Sequence, residues 1–319
     1  TRITQWGIAT SLVYGSLRQL KEGISYLGEL DNAMNQVQIV TNKTSDEVLE
    51  LSNSYNTLAK QMSVTTSQIA LASVEFYRQG LSDEEVNKRL QSIIQYAKIS
   101  GMEFQESAEI ITATVNSMGI DVQRATDIFS YMGDATATGA DEIGRAFQKV
   151  GGTAGELGVE FEKVSSWISI ISSKTRESAE SIGTSMKSMM ARIQNMKAYG
   201  FDQEDGTTVN EVAKALAEVN IALMDSEGQF RNIGTIFDEL GAKWDSLDSR
   251  QKAYLATTIA GTRQQSRFYS LMGGYAESID LYNKSLEALG VTQQKYDVWI
   301  QSTEAHIEKF SATLEGFWQ

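Results

Sequence analysis

Cysteine and proline are both absent from this 319-residue chain, and histidine occurs once. Without cysteine there is no disulfide, no thiolate ligand for zinc and no thiol nucleophile. Average usage of about 5% would place roughly sixteen prolines in such a length. Proline removes a backbone donor and costs about 3 kcal/mol inside a helix, so its complete absence points to a chain made mostly of helices. Basic charge is short as well: 28 Lys and Arg stand against 41 Asp and Glu, a formal net charge of −13. Duplex DNA is held mainly by Lys and Arg displacing counterions, and no basic run here serves that purpose, so sequence-specific nucleic-acid binding is not expected. Long apolar runs are missing too. The densest stretch, Val164 to Ile171, is interrupted by Ser165, Ser166 and Ser169, short of the ~18 apolar residues of a membrane span. No membrane partner is therefore expected for this segment. No signal peptide is visible, and the chain reads as a fragment of something longer.

What is present is helical periodicity. Leu12, Leu17, Leu20, Ile24, Leu27, Leu30, Met34 and Val37 form one long stripe, which needs a partner to bury it. Ser45 is a candidate N-cap for a helix carrying Val48, Leu51, Tyr55, Leu58 and Met62 on one face,. The next helix is expected from Thr65 or Thr66 to Gly80, and Ser82 with Glu85 forms a capping box that opens another,.

Compared with itself at an offset of 57, the chain aligns Glu85, Leu90, Gln91, Ile93 and Ala97 with Glu142, Phe147, Gln148, Val150 and Ala154, and Gly101-Met102-Glu103-Phe104 with Gly158-Val159-Glu160-Phe161. A weaker match at an offset of 39 places Gly80, Leu81 and Ser82 over Gly119, Ile120 and Asp121. These read as helix–turn–helix modules in which Gly supplies a left-handed turn and Ser82 or Asp121 caps the following helix. Such modules bury little alone and complete a core by stacking.

Between Tyr199 and Gly234 the pattern changes: a polar loop, a short helix over Val209 to Val219, then Ile221 to Met224 and Gln229 to Ile233 around an Asp225–Gly228 turn. The last piece is a candidate β-hairpin near 221–233, although such turns also join helices. At the C-terminal end Tyr296, Ile300, Thr303, Ile307, Phe310, Leu314 and Phe317 step alternately by four and three, an a/d seam,. That pattern fits either a coiled coil continuing into a rod or one amphipathic helix docked on the body. The resulting expectation is an all-α chain of stacked helical hairpins in four segments: 1–62, a long helix and hairpin; 63–198, repeated modules; 199–290, a core segment with the candidate hairpin; and 291–319, the seam helix.

No catalytic, cofactor or metal site emerges. His306 has no second histidine beside it and reads as a solvated helix residue. Asp83, Glu84 and Glu85 are explained by a helix first turn,. Gly151 to Gly155 has the glycine of a phosphate loop but neither the Gly-Lys-Ser/Thr that must follow nor a preceding strand,. Met186, Met189, Met190 and Met196 read as flexible core filling,. The candidate interaction residues are instead the polar box Gly261, Thr262, Arg263, Gln264 and Arg267, with Phe268 behind it, and the seam residues Ile300, Ile307, Phe310, Leu314 and Phe317. In the box, two arginines one turn apart suit an acidic partner or a neighbouring protomer. The leading alternative is structural: Gly261 breaks a helix, Thr262 caps the next, and the arginines pair with Asp238, Glu239 or Asp245.

The box belongs to an ordered run, Asp225 to Gly274, in which the turn is followed by Ile233, Ile236, Phe237, Leu240 and Trp244, then by an Asp248 cap, Leu255, Ile259 and the Gly261-Thr262-Arg263-Gln264 step. That order resembles the core region of the tail tape measure proteins of long-tailed bacteriophages. Upstream, Ala140 to Met196 is similar to the same family, in particular Ser172-Ser173-Lys174-Thr175-Arg176-Glu177-Ser178 and Ile182-Gly183-Thr184-Ser185. About half the chain takes part. The resemblance implies an extended, mostly helical virion protein that fills the tail lumen, sets tail length during assembly and leaves at genome ejection; with no catalytic constellation in these residues, an enzyme is not expected. It also implies a homo-oligomer, a trimer, with tail tube, distal tail and assembly chaperone as partners in the host cytoplasm and then the virion. The alternatives are a non-phage helical coiled-coil or sensor protein, or an envelope-interacting one.

Overall fold

A computed structural model describes residues 25–194 and 211–315. The stripe residues before Ser25, Met196, the polar loop at 202–208 and Phe317 lie outside them. Sixteen α-helices occupy the described residues: α1 (25–41), α2 (Ser45–Met62), α3 (Thr66–Arg78), α4 (Asp83–Ser100), α5 (Phe104–Met118), α6 (Val122–Ala135), α7 (Ala140–Glu156), α8 (Phe161–Thr175), α9 (Ala179–Gln194), α10 (Glu211–Ala217), α11 (Ile233–Lys243), α12 (Ser249–Ala260), α13 (Gln265–Met272), α14 (Tyr275–Ser285), α15 (Val291–Trp299) and α16 (Thr303–Glu315). Among the described residues there is no strand. The candidate hairpin amounts to one antiparallel bridge between Met224 and Phe230, its turn tied by Asp225 accepting from the Glu227 and Gln229 amides at 2.9 and 2.8 Å.

Helix starts follow local chemistry. Capping boxes at Thr44/Glu47, Thr65/Gln68, Ser82/Glu85 and Asp248/Gln251 satisfy orphan amides reciprocally,. The first corrects the expected Ser45 cap: only Thr44 has a glutamate three residues on, and Glu47 reaches back to its amide at 2.7 Å. The internal repeat recurs as geometry. Gly101 and Gly158 adopt φ of 72° and 62°, and the amides after them, Met102 and Val159, donate to the carbonyls of the aligned Ala97 and Ala154 at 3.1 and 3.0 Å. Each turn is thus a helix stop closed by a bond spanning five residues, followed by an apolar residue that packs.

The contacts divide the chain into two compact units, residues 1–109 with 293–319, and residues 110–292. In the first, Tyr55, Ile69, Phe76, Leu90, Ile93, Ile94 and Tyr96 are fully buried. In the second, α8 is the central helix, packed by α6, α7, α9, α13 and α14. Two aromatic clusters fill its surroundings: Phe129, Phe147 and Phe161 with centroids 4.9–5.7 Å apart, and Trp167, Phe237, Phe268 and Trp244 in a chain. Each such pair contributes about 0.5–1.5 kcal/mol beyond its area. The serines that interrupt α8 are buried with it, and Ser166 and Ser169 return their hydroxyls to the carbonyls of Lys163 and Ser165 at 2.8 Å. Met186, Met189 and Met190 are core residues.

The seam is not one helix. α15 stops at Trp299 and α16 begins at Thr303, where Ser302 accepts from the Ala305 amide at 3.1 Å. Tyr296 is buried and donates to the Met62 carbonyl at 2.7 Å, whereas Ile307 and Phe310 are 61% and 65% exposed. The Leu314 side chain lies outside what is described.

Candidate functional site

The two stretches that carry the family resemblance fold onto each other in the second unit. α8 ends at Arg176, whose left-handed φ of 56° turns the chain, and its amide returns to the Ser172 carbonyl at 2.9 Å. Ser178 then caps α9 through the Ser181 amide. This turn aims Glu177 outward from α8 at the polar box, where Arg267 donates to it through Nε at 2.6 Å and through Nη2. Arg267 also holds Gln264 through Nη1. Lys174 pairs with Glu277 at 3.2 Å, and Arg176 donates to the Ala137 carbonyl.

Within the box, Gly261 ends α12 with φ of 76°, and a side chain there would meet the Arg192 guanidinium at 2.8 Å. Thr262 is exposed and does not cap α13; Gln264 takes that position. Arg263 is exposed. Of the acids expected as arginine partners, Asp238 and Glu239 serve elsewhere and Asp245 is exposed. Asp238 accepts from Lys163 at 2.7 Å and from the Tyr275 hydroxyl at 2.8 Å, and Glu239 pairs with Arg231. Burial, reinforced by Asp238, pushes the Tyr275 phenol far above its ordinary range. The bond from Arg231 holds the Glu239 carboxyl below its usual value. Glu177 lies ninety residues from Arg267, too far for spacing to pair them, and only tertiary packing joins the two.

Two further polar groups carried a weak sequence signal, a charged pair one turn apart on an otherwise apolar face of α6. Arg124 donates to Glu162 at 2.7 Å and to the carbonyls of Ser285 and Ala288 at 3.1 and 3.0 Å. Asp127, 1% exposed, accepts from the amides of Gly290 and Thr292 at 2.7 and 2.9 Å. Together they clamp the loop after α14. In the first unit Tyr55 donates to Tyr77 at 3.2 Å, Tyr77 to Asp83 at 2.9 Å, and Lys43 pairs with Asp83 at 3.0 Å beside a surface hollow of about 430 Å³.

Glu85 is held below its ordinary value by the Ser82 amide and hydroxyl. His306 is exposed, with Nδ1 2.7 Å from the Ser302 carbonyl. The glycines at 151–155 lie inside α7, where Gly155 lets the Ser117 carbonyl approach to a point 2.1 Å from where a Cβ would stand and Gly151 fits against Phe147 and Ser117, so these two serve helix packing, while Gly152 is exposed. Among the described residues no group of three or more His, Cys, Asp or Glu could hold a metal ion, and no helix is long and apolar enough to cross a membrane.

These groups define a class: an all-helical protein in which ion pairs such as Arg267–Glu177, Arg124–Glu162 and Lys163–Asp238 join helices. The chain belongs to the phage-related minor tail protein family, whose model matches residues 45–261, more than half of it. The match begins at the start of α2 and ends at Gly261 in the box, and it makes the chain a component of the phage tail. No solved structure matches it.

Proposed function

We propose that this tail protein is the tape measure, the component that sets tail length. The observation that carries this reading is the ordered resemblance of Ala140–Met196 and Asp225–Gly274 to tape measure cores, which are the stretches joined by Glu177 and Arg267. The proline-free composition supports it physically. Each helical residue adds about 1.5 Å of length, so residue number converts linearly into distance along a tube. On this reading the protein self-associates, occupies the tail lumen, contacts the tube, the distal tail and an assembly chaperone in the host cytoplasm, and leaves at ejection. It acts by length and packing rather than catalysis.

The test is made in the phage. Inserting whole heptads after Glu315 of the encoded protein is expected to lengthen tails in electron micrographs by about 10 Å per heptad. Tails of unchanged length would reassign the protein to another place in the tail.

A further inference from the structure

Tyr296, Ile300, Thr303, Ile307 and Phe310 keep steps of four and three straight through the interruption between α15 and α16. The interruption is marked locally by the Ser302 cap of α16, although Ile300-Gln301-Ser302 contains neither glycine nor proline,. It is held by contacts within the first unit. Tyr296 is buried with its hydroxyl on the Met62 carbonyl, Ala305 is 1% exposed, and Lys98 pairs with Glu308 while its ammonium lies 5.1 and 5.2 Å from the Phe104 and Trp299 rings. At 3.6 residues per turn Ala305 and Glu308 fall on the side of α16 opposite Thr303, Ile307 and Phe310. Docking the one face therefore turns the α16 part of the seam to solvent.

We propose that Ile300–Ser302 is a hinge between two arrangements. In the observed one, α15 and α16 are docked separately and Lys98 acts as the clasp. In the other, Tyr296 and Ala305 are released, the two helices join into one, and the restored seam pairs with the same seam of a second copy of this chain. A second copy is the fitting occupant because a four–three repeat forms holes of the spacing its own knobs require. Tyr296 belongs to the buried core in one arrangement and to the seam in the other, so the two exclude each other. The inference deepens the self-association in the tape measure reading, but it is tested on the isolated protein, so its failure leaves the tail-length experiment standing.

The absence of cysteine makes site-specific labelling direct. Spin labels at Asp297→Cys and Lys309→Cys, both exposed, stand about 18 Å apart between Cα atoms in a continuous helix. Labelled full-length chain is diluted into unlabelled chain, and electron–electron distances and sedimentation mass are followed over a concentration series. The distance is expected to move to the continuous-helix value as mass rises above the monomer. Lys98→Met, which removes the Glu308 pair, is expected to lower the midpoint concentration by about tenfold, and Phe310→Asp on the exposed face to prevent both changes. A chain that stays monomeric throughout, or one that associates with the distance unchanged, overturns the hinge. An unmoved midpoint in Lys98→Met overturns the clasp.

Discussion

Gly183 is the point at which the packing of α9 on α7 is most exposed to test. An alanine there places its Cβ 2.2 Å from the Ala146 carbonyl oxygen and 2.9 Å from the Lys149 Cβ. The nearest obstacle is helix backbone and cannot rotate away. Restoring an ordinary 3.4 Å contact requires α9 to retreat by roughly 1 Å, which close-packed interiors resist. The retreat loosens Ile143, Phe147 and Val150 on one side and Ile182 and Met186 on the other, all buried. Overpacking of this kind costs about 1–3 kcal/mol, offset by up to ~1 kcal/mol of helix propensity gained over glycine. A net loss of about 1 kcal/mol is expected. Gly152 on α7 supplies the control: it is exposed, and a Cβ there meets nothing within 4 Å. Gly152→Ala is expected to gain about 0.5–1 kcal/mol from propensity alone. Urea unfolding followed by far-ultraviolet circular dichroism reads both as shifts of midpoint at constant slope. If Gly183→Ala is as stable as the wild type or tracks Gly152→Ala, the close approach of α7 and α9 is wrong.

Burial raises the Tyr55 phenol from its ordinary 10.0 to about 12. Its proton is bound more tightly in the folded state, so its contribution is complete below pH 10.0 and falls away as pH rises towards 12, a loss on the order of 2 kcal/mol. Tyr77, raised further by burial, acts in the same direction. Stability measured from pH 9 to 12 is expected to fall less steeply in Tyr55→Phe; equal slopes would remove Tyr55 from the alkaline transition. For the motif contact, Arg267 and Glu177 are 15% and 32% exposed, so a double-mutant cycle of Glu177→Ala and Arg267→Ala is expected to give a coupling of about 1 kcal/mol, discounted for solvent. A coupling near zero would mean that the two motifs do not meet.

The sequence by itself determined the helical class, because missing proline and apolar periodicity act on every residue locally. It also determined the helix starts at Thr65, Ser82, Asp121 and Asp248 and the glycine stops of the repeat, since caps and left-handed turns involve residues within one turn of each other. Tertiary structure alone decided the rest. Glu177 rather than a nearer acid receives Arg267, because α8 and α13 pack and their ends meet. Asp127 and Arg124 became a clamp only when the loop after α14 came to α6. The seam from Tyr296 to Phe310 was legible as a pattern, but its division into two helices was not. Beyond the local Ser302 cap, the two helices are docked through the Met62 carbonyl and Lys98, which are far away in sequence. Periodicity specifies which face of a helix is apolar; only the packed chain specifies what covers it.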